Sequence, residues 1–197
     1  MARTQSQNYP EVRRNILKKA AALFAEKGYS GTTIIDLATA CASSRGALYH
    51  YFESKEEILF HILDEHVEFL FNSIERTLAD IGDPLEQCRA LISEMVVRNA
   101  ESVHEQVVLL NHLNQLNPKQ QRGIIAKQRK ITELASDILI RIDQQHRITM
   151  RTKKIYTMML FGIINYTFTW YDPKGPVGPQ EYADITADLF IKGFTTT

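Results

Sequence analysis

Apolar residues recur at helical spacing along almost the whole chain, and no segment alternates with period two for long enough to argue a sheet. The first run, Val12, Ile16, Leu17, Ala20, Leu23 and Phe24, ends at Gly28, where a glycine is expected just past a helix. Thr33-Ile-Ile-Asp36, Ser54-Lys-Glu-Glu57 and Asp83-Pro84-Leu-Glu86 each place a capping side chain three residues before a carboxylate. The last also has Pro at the first helical position, and Asn117-Pro118 and Gly178-Pro179 read the same way more weakly. These signals predict an all-α chain of about nine helices, near 10–28, 33–40, 44–51, 54–80, 83–102, 104–115, 118–147, 151–171 and 179–195.

At 197 residues, the chain is long enough to bury a sizeable core without disulfide or metal staples. Its 44% hydrophobic and 23% charged residues are globular proportions, which exclude a disordered or collagen-like chain. Formal net charge is zero, but the sum conceals an asymmetry. Residues 1–53 carry seven Lys/Arg against four Asp/Glu, and residues 54–197 carry sixteen against nineteen. A basic head on an acidic body hints at a nucleic-acid face.

Cys41 and Cys88 both lie in helical patterns, so no disulfide is expected and a reducing cytoplasm fits better. The polar Met1 to Asn8 shows no signal-peptide core. The uncharged run Ile155 to Tyr171 is short for a membrane span and contains Asn165 and several threonines, so it reads as a buried helix.

The first three helices are short and the later ones long, which divides the chain into a head, 1–53, and a body, 54–197, joined through the fourth helix. Within the head, Thr33 to Phe52 reads TIIDLATACASSRGALYHYF: a capped helix of about two turns, a break near Ala42 and Ser43, and a second short helix. That is helix-turn-helix spacing. Ile34, Leu37, Ala38 and Cys41 form the inward face of one helix, and Leu48 and Phe52 that of the other. Ser44, Arg45, Gly46, Ala47, Tyr49 and His50 remain outside. This outer face is small at its leading edge, carries a guanidinium able to bond a guanine bidentately, and offers a tyrosine hydroxyl for a phosphate. Arg13, Lys18 and Lys19 are either further phosphate contacts or a solvated face.

Residues 13–59 strongly resemble the TetR (tetracycline-repressor) family of bacterial regulators. The resemblance rests on Ala20-Ala21-x-Leu23-Phe24, Lys27-Gly28-Tyr29, Thr32-Thr33, Leu37-Ala38, and above all Gly46-Ala47-Leu48-Tyr49-His50-Tyr51-Phe52 with Ser54-Lys55-Glu56. It implies that the second short helix enters the major groove and that Thr33, Tyr49 and Lys55 hold phosphates. The turn departs from the family pattern, which has Gly then Val where this chain has Ala42 and Ser43. An alanine held there at positive φ would cost about 1 kcal/mol.

The last two helices are too apolar to be solvated. Met159, Ile163 and Tyr171 on the eighth, with Tyr182, Thr186, Leu189 and Phe190 on the ninth, are the candidate dimerisation residues. The resemblance implies a homodimer through such helices. Polar groups interrupt the apolar faces of helices five to eight, and Asn99, Asn111, His112, Tyr156, Asn165, Tyr166, Thr169 and Trp170 are the candidate effector contacts. The alternative is that they satisfy one another.

The C-terminal strings from Asn165 to Pro176 and from Ala183 to Gly193 are similar to TetR-type repressors of fatty-acid, aromatic-acid or steroid-ring degradation. That similarity implies a CoA thioester effector, whose phosphates would need cations such as Arg122, Lys127, Arg129, Lys130, Arg147 and Arg151. The resulting expectation is a repressor on a palindromic DNA operator, without cofactor, metal or membrane partner. The alternative within the class is an efflux-pump repressor sensing hydrophobic xenobiotics, and more remote ones are an enzyme or a bare dimerisation module. No catalytic motif supports an enzyme, and His61 with Glu65, one turn apart, supplies only two ligands for a metal.

Overall fold

The computed structural model describes residues 8–195, so the reading of Met1 to Gln7 lies outside the described residues. Among these residues nine α-helices follow one another, with no strand: α1 (Tyr9–Lys27), α2 (Ile34–Ala40), α3 (Arg45–Leu48), α4 (Lys55–Leu78), α5 (Pro84–Glu101), α6 (Val103–His112), α7 (Pro118–Ile142), α8 (Lys153–Asn165) and α9 (Pro179–Thr195). Single 3-10 turns occupy Leu113–Gln115 and Thr167–Thr169. No helix among the described residues is long and apolar enough to cross a membrane.

The helix starts follow the sequence signals. Thr33 and Asp36 form a reciprocal capping box. Asp83 Oδ2 accepts from Glu86 N at 2.9 Å, and Asn117 Oδ1 accepts from Lys119 N and Gln120 N at 3.1 and 3.0 Å. α1 stops at Gly28, whose φ of 77° and ψ of 155° lie where side chains with a Cβ are essentially excluded. Gly31 is fixed differently: a Cβ there would sit 2.6 Å from the Lys27 carbonyl oxygen.

Three helices end earlier than their periodicity predicts. α3 covers Arg45–Leu48, and the chain to Phe52 continues as overlapping turns, with His50 N bonded to Ala47 O and Tyr51 N to Leu48 O. α7 stops at Ile142 rather than near 147. Buried Asp143 accepts from the amide of Ile148, and Thr152 accepts from Thr149 N and donates to Arg147 O, so side chains hold a loop where the helix would have run. α8 stops at Asn165 rather than near 171, because Thr167 and Thr169 donate to the carbonyls of Ile164 and Tyr166 and stabilise a tighter turn.

The chain divides into two compact units. The first comprises the residues up to His66 with His104–Ile124, around Phe24, Leu37, Leu59, Leu63 and Val108. Within it, His66 Nε2 and Gln106 Oε1 form a buried pair at 3.1 Å that joins α4 to α6. The second comprises Val67–Val103 and the residues from Ile125, around Ile74, Leu91, Ile92, Ile138 and Leu160. Here α5 packs along α9, tied at the surface by Arg89 to Asp188 at 2.6 Å and Ser93 to Gln180 at 2.9 Å. α4 passes continuously from one unit to the other.

Candidate nucleic-acid interface and ligand site

The turn between α2 and α3 is built by the backbone. Cys41 is the last cap of α2, Ala42 follows at φ 49°, Ala42 N donates to Thr39 O at 3.0 Å, and Ser43 N donates to Ala38 O at 2.9 Å. These are the two bonds of a Schellman motif, completed here without glycine. Ser44 then caps α3 by accepting from Ala47 N at 3.1 Å. Leu37, Ala38, Leu48 and Phe52 are buried, while Ile34 and Cys41 are half-buried. Ser44, Arg45, Gly46, Tyr49 and His50 are exposed and Ala47 is half-buried, so α3 and its following turn present the face expected from the sequence. The Arg45 guanidinium lies over the Tyr49 ring, 5.7 Å from its centroid.

The supports of this face were not legible in the sequence. Lys19 Nζ donates to Ala40 O at 2.7 Å, pinning the end of α2 to α1. Arg13 pairs with Glu65 at 2.7 Å and lies 5.2 Å from the Phe52 ring centroid, and Tyr9 stacks on Tyr51 with centroids 4.7 Å apart. Two of the three basic α1 residues considered as phosphate contacts are therefore internal fasteners, and Lys18 is exposed. Lys55 donates to the carbonyls of Tyr29 and Thr32, both at 2.8 Å, and sits 4.2 Å above the Tyr29 ring centre. Burial lowers its pKa. Two of its three N–H donors are occupied, which leaves one for an external acceptor. The Thr33 hydroxyl donates to Asp36 at 2.6 Å, and that bond, with the Thr33 amide, keeps the Asp36 carboxyl below its usual pKa.

In the second unit, Asn99 on α5 donates to Asn165 Oδ1 on α8 at 3.2 Å. Asn99 is only 5% exposed, and its own Oδ1 is buried without a partner. On the outer side of α8 and α9, Ile155, Met158, Met159, Ile185 and Leu189 are exposed, and Leu189 is 68% so. Between these helices lies an open groove of about 550 Å³, lined by Met159, Ile163, Leu189, Phe190 and the two glycines Gly162 and Gly193.

Comparison with known families matches residues 16–62 to "Bacterial regulatory proteins, tetR family" and residues 82–194 to "Tetracyclin repressor-like, C-terminal domain". The chain belongs to the TetR family. It is 27% identical over 187 residues to the HTH-type transcriptional repressor KstR2 of Mycobacterium tuberculosis (strain ATCC 25618 / H37Rv), covering 93% of this chain and 92% of that one. A TetR-family transcriptional regulator from Bordetella parapertussis 12822 superposes with a TM-score of 0.89 at 35% identity, covering 94% of this chain and 97% of that one. AibR, solved in complex with isovaleryl coenzyme A and operator DNA, shares the fold with a TM-score of 0.79 at 23% identity, covering 90% and 97%. The protein is thus a TetR-family transcriptional regulator, with its helix-turn-helix in the N-terminal unit.

Within this TetR chain, the candidate effector residues are distributed unevenly. Asn111, exposed and bonded to Val107 O, and His112, bonded to Phe24 O at 3.2 Å, belong to the first unit. Asn99 and Asn165 meet in the second. Tyr156 packs on Phe194 instead, with ring centroids 5.4 Å apart. Tyr166, Thr169 and Trp170 lie at the surface of the chain, where the 64% exposed Trp170 packs on Tyr171 and Tyr182.

Of the candidate dimerisation residues, Met159 and Leu189 are exposed, while Ile163, Tyr171, Tyr182 and Phe190 are half-buried. Tyr182 donates to Ile163 O at 3.1 Å, and Thr186 is buried within the chain's own core. Among the candidate cations, Lys127 pairs with Glu68 at 2.8 Å, Lys130 lies over Phe71, and Arg147 lies over Phe194. Arg122, Arg129 and Arg151 are exposed. His61 lies between Glu57 and Glu65, one turn away on either side, and no group of three potential metal ligands forms among the described residues.

Proposed function

We propose that this regulator is a repressor that binds a palindromic or pseudo-palindromic operator as a homodimer and is released by a small hydrophobic effector, a CoA thioester of a fatty, aromatic or steroid-derived acid. Residues 1–53 are the DNA-binding part in this reading, and residues 54–197 bind effector and partner. Ser44, Arg45, Gly46, Ala47 and His50 face the major groove, and Tyr49 and Lys55 contact phosphate; Thr33, whose hydroxyl and amide both donate to Asp36, reaches a phosphate only by giving up one of those bonds. The observation that carries the reading of the body is the unpartnered apolar stripe on α8 and α9, whose exposed Leu189, Met159 and Ile185 need a cover. A two-fold copy is the economical cover, and it sets two heads on grooves about 34–36 Å apart or a multiple of that repeat. Trp170, clustered with Tyr171 and Tyr182, belongs with this surface.

The effector reading rests on the Asn99–Asn165 pair. An orphaned buried amide oxygen beside a half-buried amide is an acceptor for a donor group on a ligand. The thioester class is taken from the isovaleryl coenzyme A named with AibR and from the C-terminal strings. The effector acts by preferring one arrangement of the dimer over another, and α4, which begins under the head and continues into the body, is the lever between them.

Gel shift on the operator, run with a panel of CoA thioesters and their free acids, tests the proposal. Thioesters should release the protein where the acids do not. Release by free acids or by uncharged hydrophobic drugs at equal concentration would defeat the thioester reading. Undiminished operator binding by a protein that sediments as a monomer would defeat the dimer.

A further inference from the structure

We propose that a second ligand site lies in the groove between α7 and α8, and that it binds the anionic end of an amphipathic small molecule: a carboxylate or phosphate monoester joined to an apolar chain. The groove has a volume of about 440 Å³, within the range of small-molecule sites. It shares no residue with the Asn99–Asn165 pair and stands or falls independently of the effector reading.

Four observations set its chemistry. First, Ser136 lines the groove, is 8% exposed, and its Oγ has no hydrogen-bond partner. A hydroxyl inside a helix ordinarily returns to the carbonyl four residues back, as Thr132 does to Gln128 O at 3.0 Å and Thr157 to Lys153 O at 2.9 Å on the same walls. Ser136 departs from its neighbours and leaves a buried polar atom for a ligand.

Second, Arg129, Lys153 and Lys154 line the same groove. Third, α8 begins there. Its first turn holds no acidic residue and its N-cap Thr152 makes no side-chain capping bond, so no side chain offsets the positive end of the helix, while the amides of Lys153 and Ile155 are taken up by Thr149 O and Thr152 O. Fourth, Ile125, Met158 and the buried Thr157 supply apolar wall. Glu133 and Asp137 also line the groove, two carboxylates against three cations and a helix N-terminus. That balance favours a ligand with one anionic end over a polyanion.

Isothermal titration of the full chain with decyl phosphate, decanoate and decanol tests the site, and the two anions separate a phosphate from a carboxylate source. At least one anion should bind tenfold or more tightly than decanol. Lys153→Ala/Lys154→Ala should weaken that anion at least tenfold, Ser136→Ala should weaken it severalfold, and Glu133→Gln should tighten it. Glu133→Gln removes a surface charge without opening a cavity, so its sign remains readable if the other variants fold poorly. Equal binding of decanol, an unchanged affinity in the double lysine variant, or weaker binding in Glu133→Gln would overturn the proposal. So would a double variant that shifts the monomer–dimer equilibrium in sedimentation while no anion binds the wild type, because the groove would then be covered by a second copy of the chain.

Discussion

Replacing Ala42 by Gly should stabilise the protein, although it removes a methyl group from the helix-turn-helix. Ala42 sits at φ 49° and is exposed, so its side chain gains nothing from burial. Holding an L-residue in the left-handed region costs about 1–2 kcal/mol. The greater freedom of glycine in the unfolded chain returns roughly 0.5–1 kcal/mol of that. The net expectation is a gain of about 0.5–1 kcal/mol, which for a chain of this size corresponds to about 1–4 °C in Tm.

Ala40, two residues earlier and still inside α2, provides the opposite control. Its φ is helical, so Ala40→Gly has no strain to release and should cost about 0.5–1 kcal/mol. Urea unfolding of the two variants beside the wild type, with unchanged m-values, measures both signs in one experiment. The reasoning is refuted if Ala42→Gly lowers the midpoint as Ala40→Gly does. That outcome would mean the Schellman bonds from Ala42 N and Ser43 N do not hold the turn in solution.

The remaining expectations follow from the same geometry. Gly28→Ala should destabilise by about 1–3 kcal/mol, because φ 77° with ψ 155° is a region essentially closed to alanine; an unchanged midpoint would refute it. Arg45→Ala should reduce discrimination between operator and scrambled DNA by about 1–3 kcal/mol, whereas Lys55→Ala should weaken both equally and also lower stability, since Lys55 ties Tyr29 O and Thr32 O. A wild-type specificity ratio in Arg45→Ala would remove that residue from base readout. Burial holds the His66 pKa below its ordinary 6.5, partly opposed by Gln106 and Glu105. The unfolded chain therefore takes up this proton first, and the contribution of His66 is full above about pH 6.5 and falls as the pH drops below it. His66→Gln should flatten that part of the stability profile in urea titrations between pH 8 and pH 5, and parallel losses in both proteins would refute the assignment.

Local chemistry was legible in the sequence wherever its range is a few residues. Thr33 with Asp36, Asp83 with Glu86, Gly28 after α1 and the break at Ala42 are all satisfied by atoms within one helical turn, so reading the residues in order was enough to place them. The helical period likewise separated buried Leu37 and Leu48 from exposed Ser44 and Arg45. The apolar period runs past the ends of α7 and α8 because it records spacing and not competition: Asp143, Thr152 and Thr167 draw backbone donors and carbonyls into loops while the pattern continues. Beyond a turn or two the sequence is silent about partners. Lys19 reaches Ala40, Lys55 reaches Tyr29 and Thr32, and Asn99 meets Asn165 across 66 residues, and each pairing exists only because packing brings distant segments together. The same limit explains why Thr186 faces inward while Leu189 faces out: both belong to one apolar stripe of α9, and only the placement of α5 beside α9 decides which part is core and which is surface.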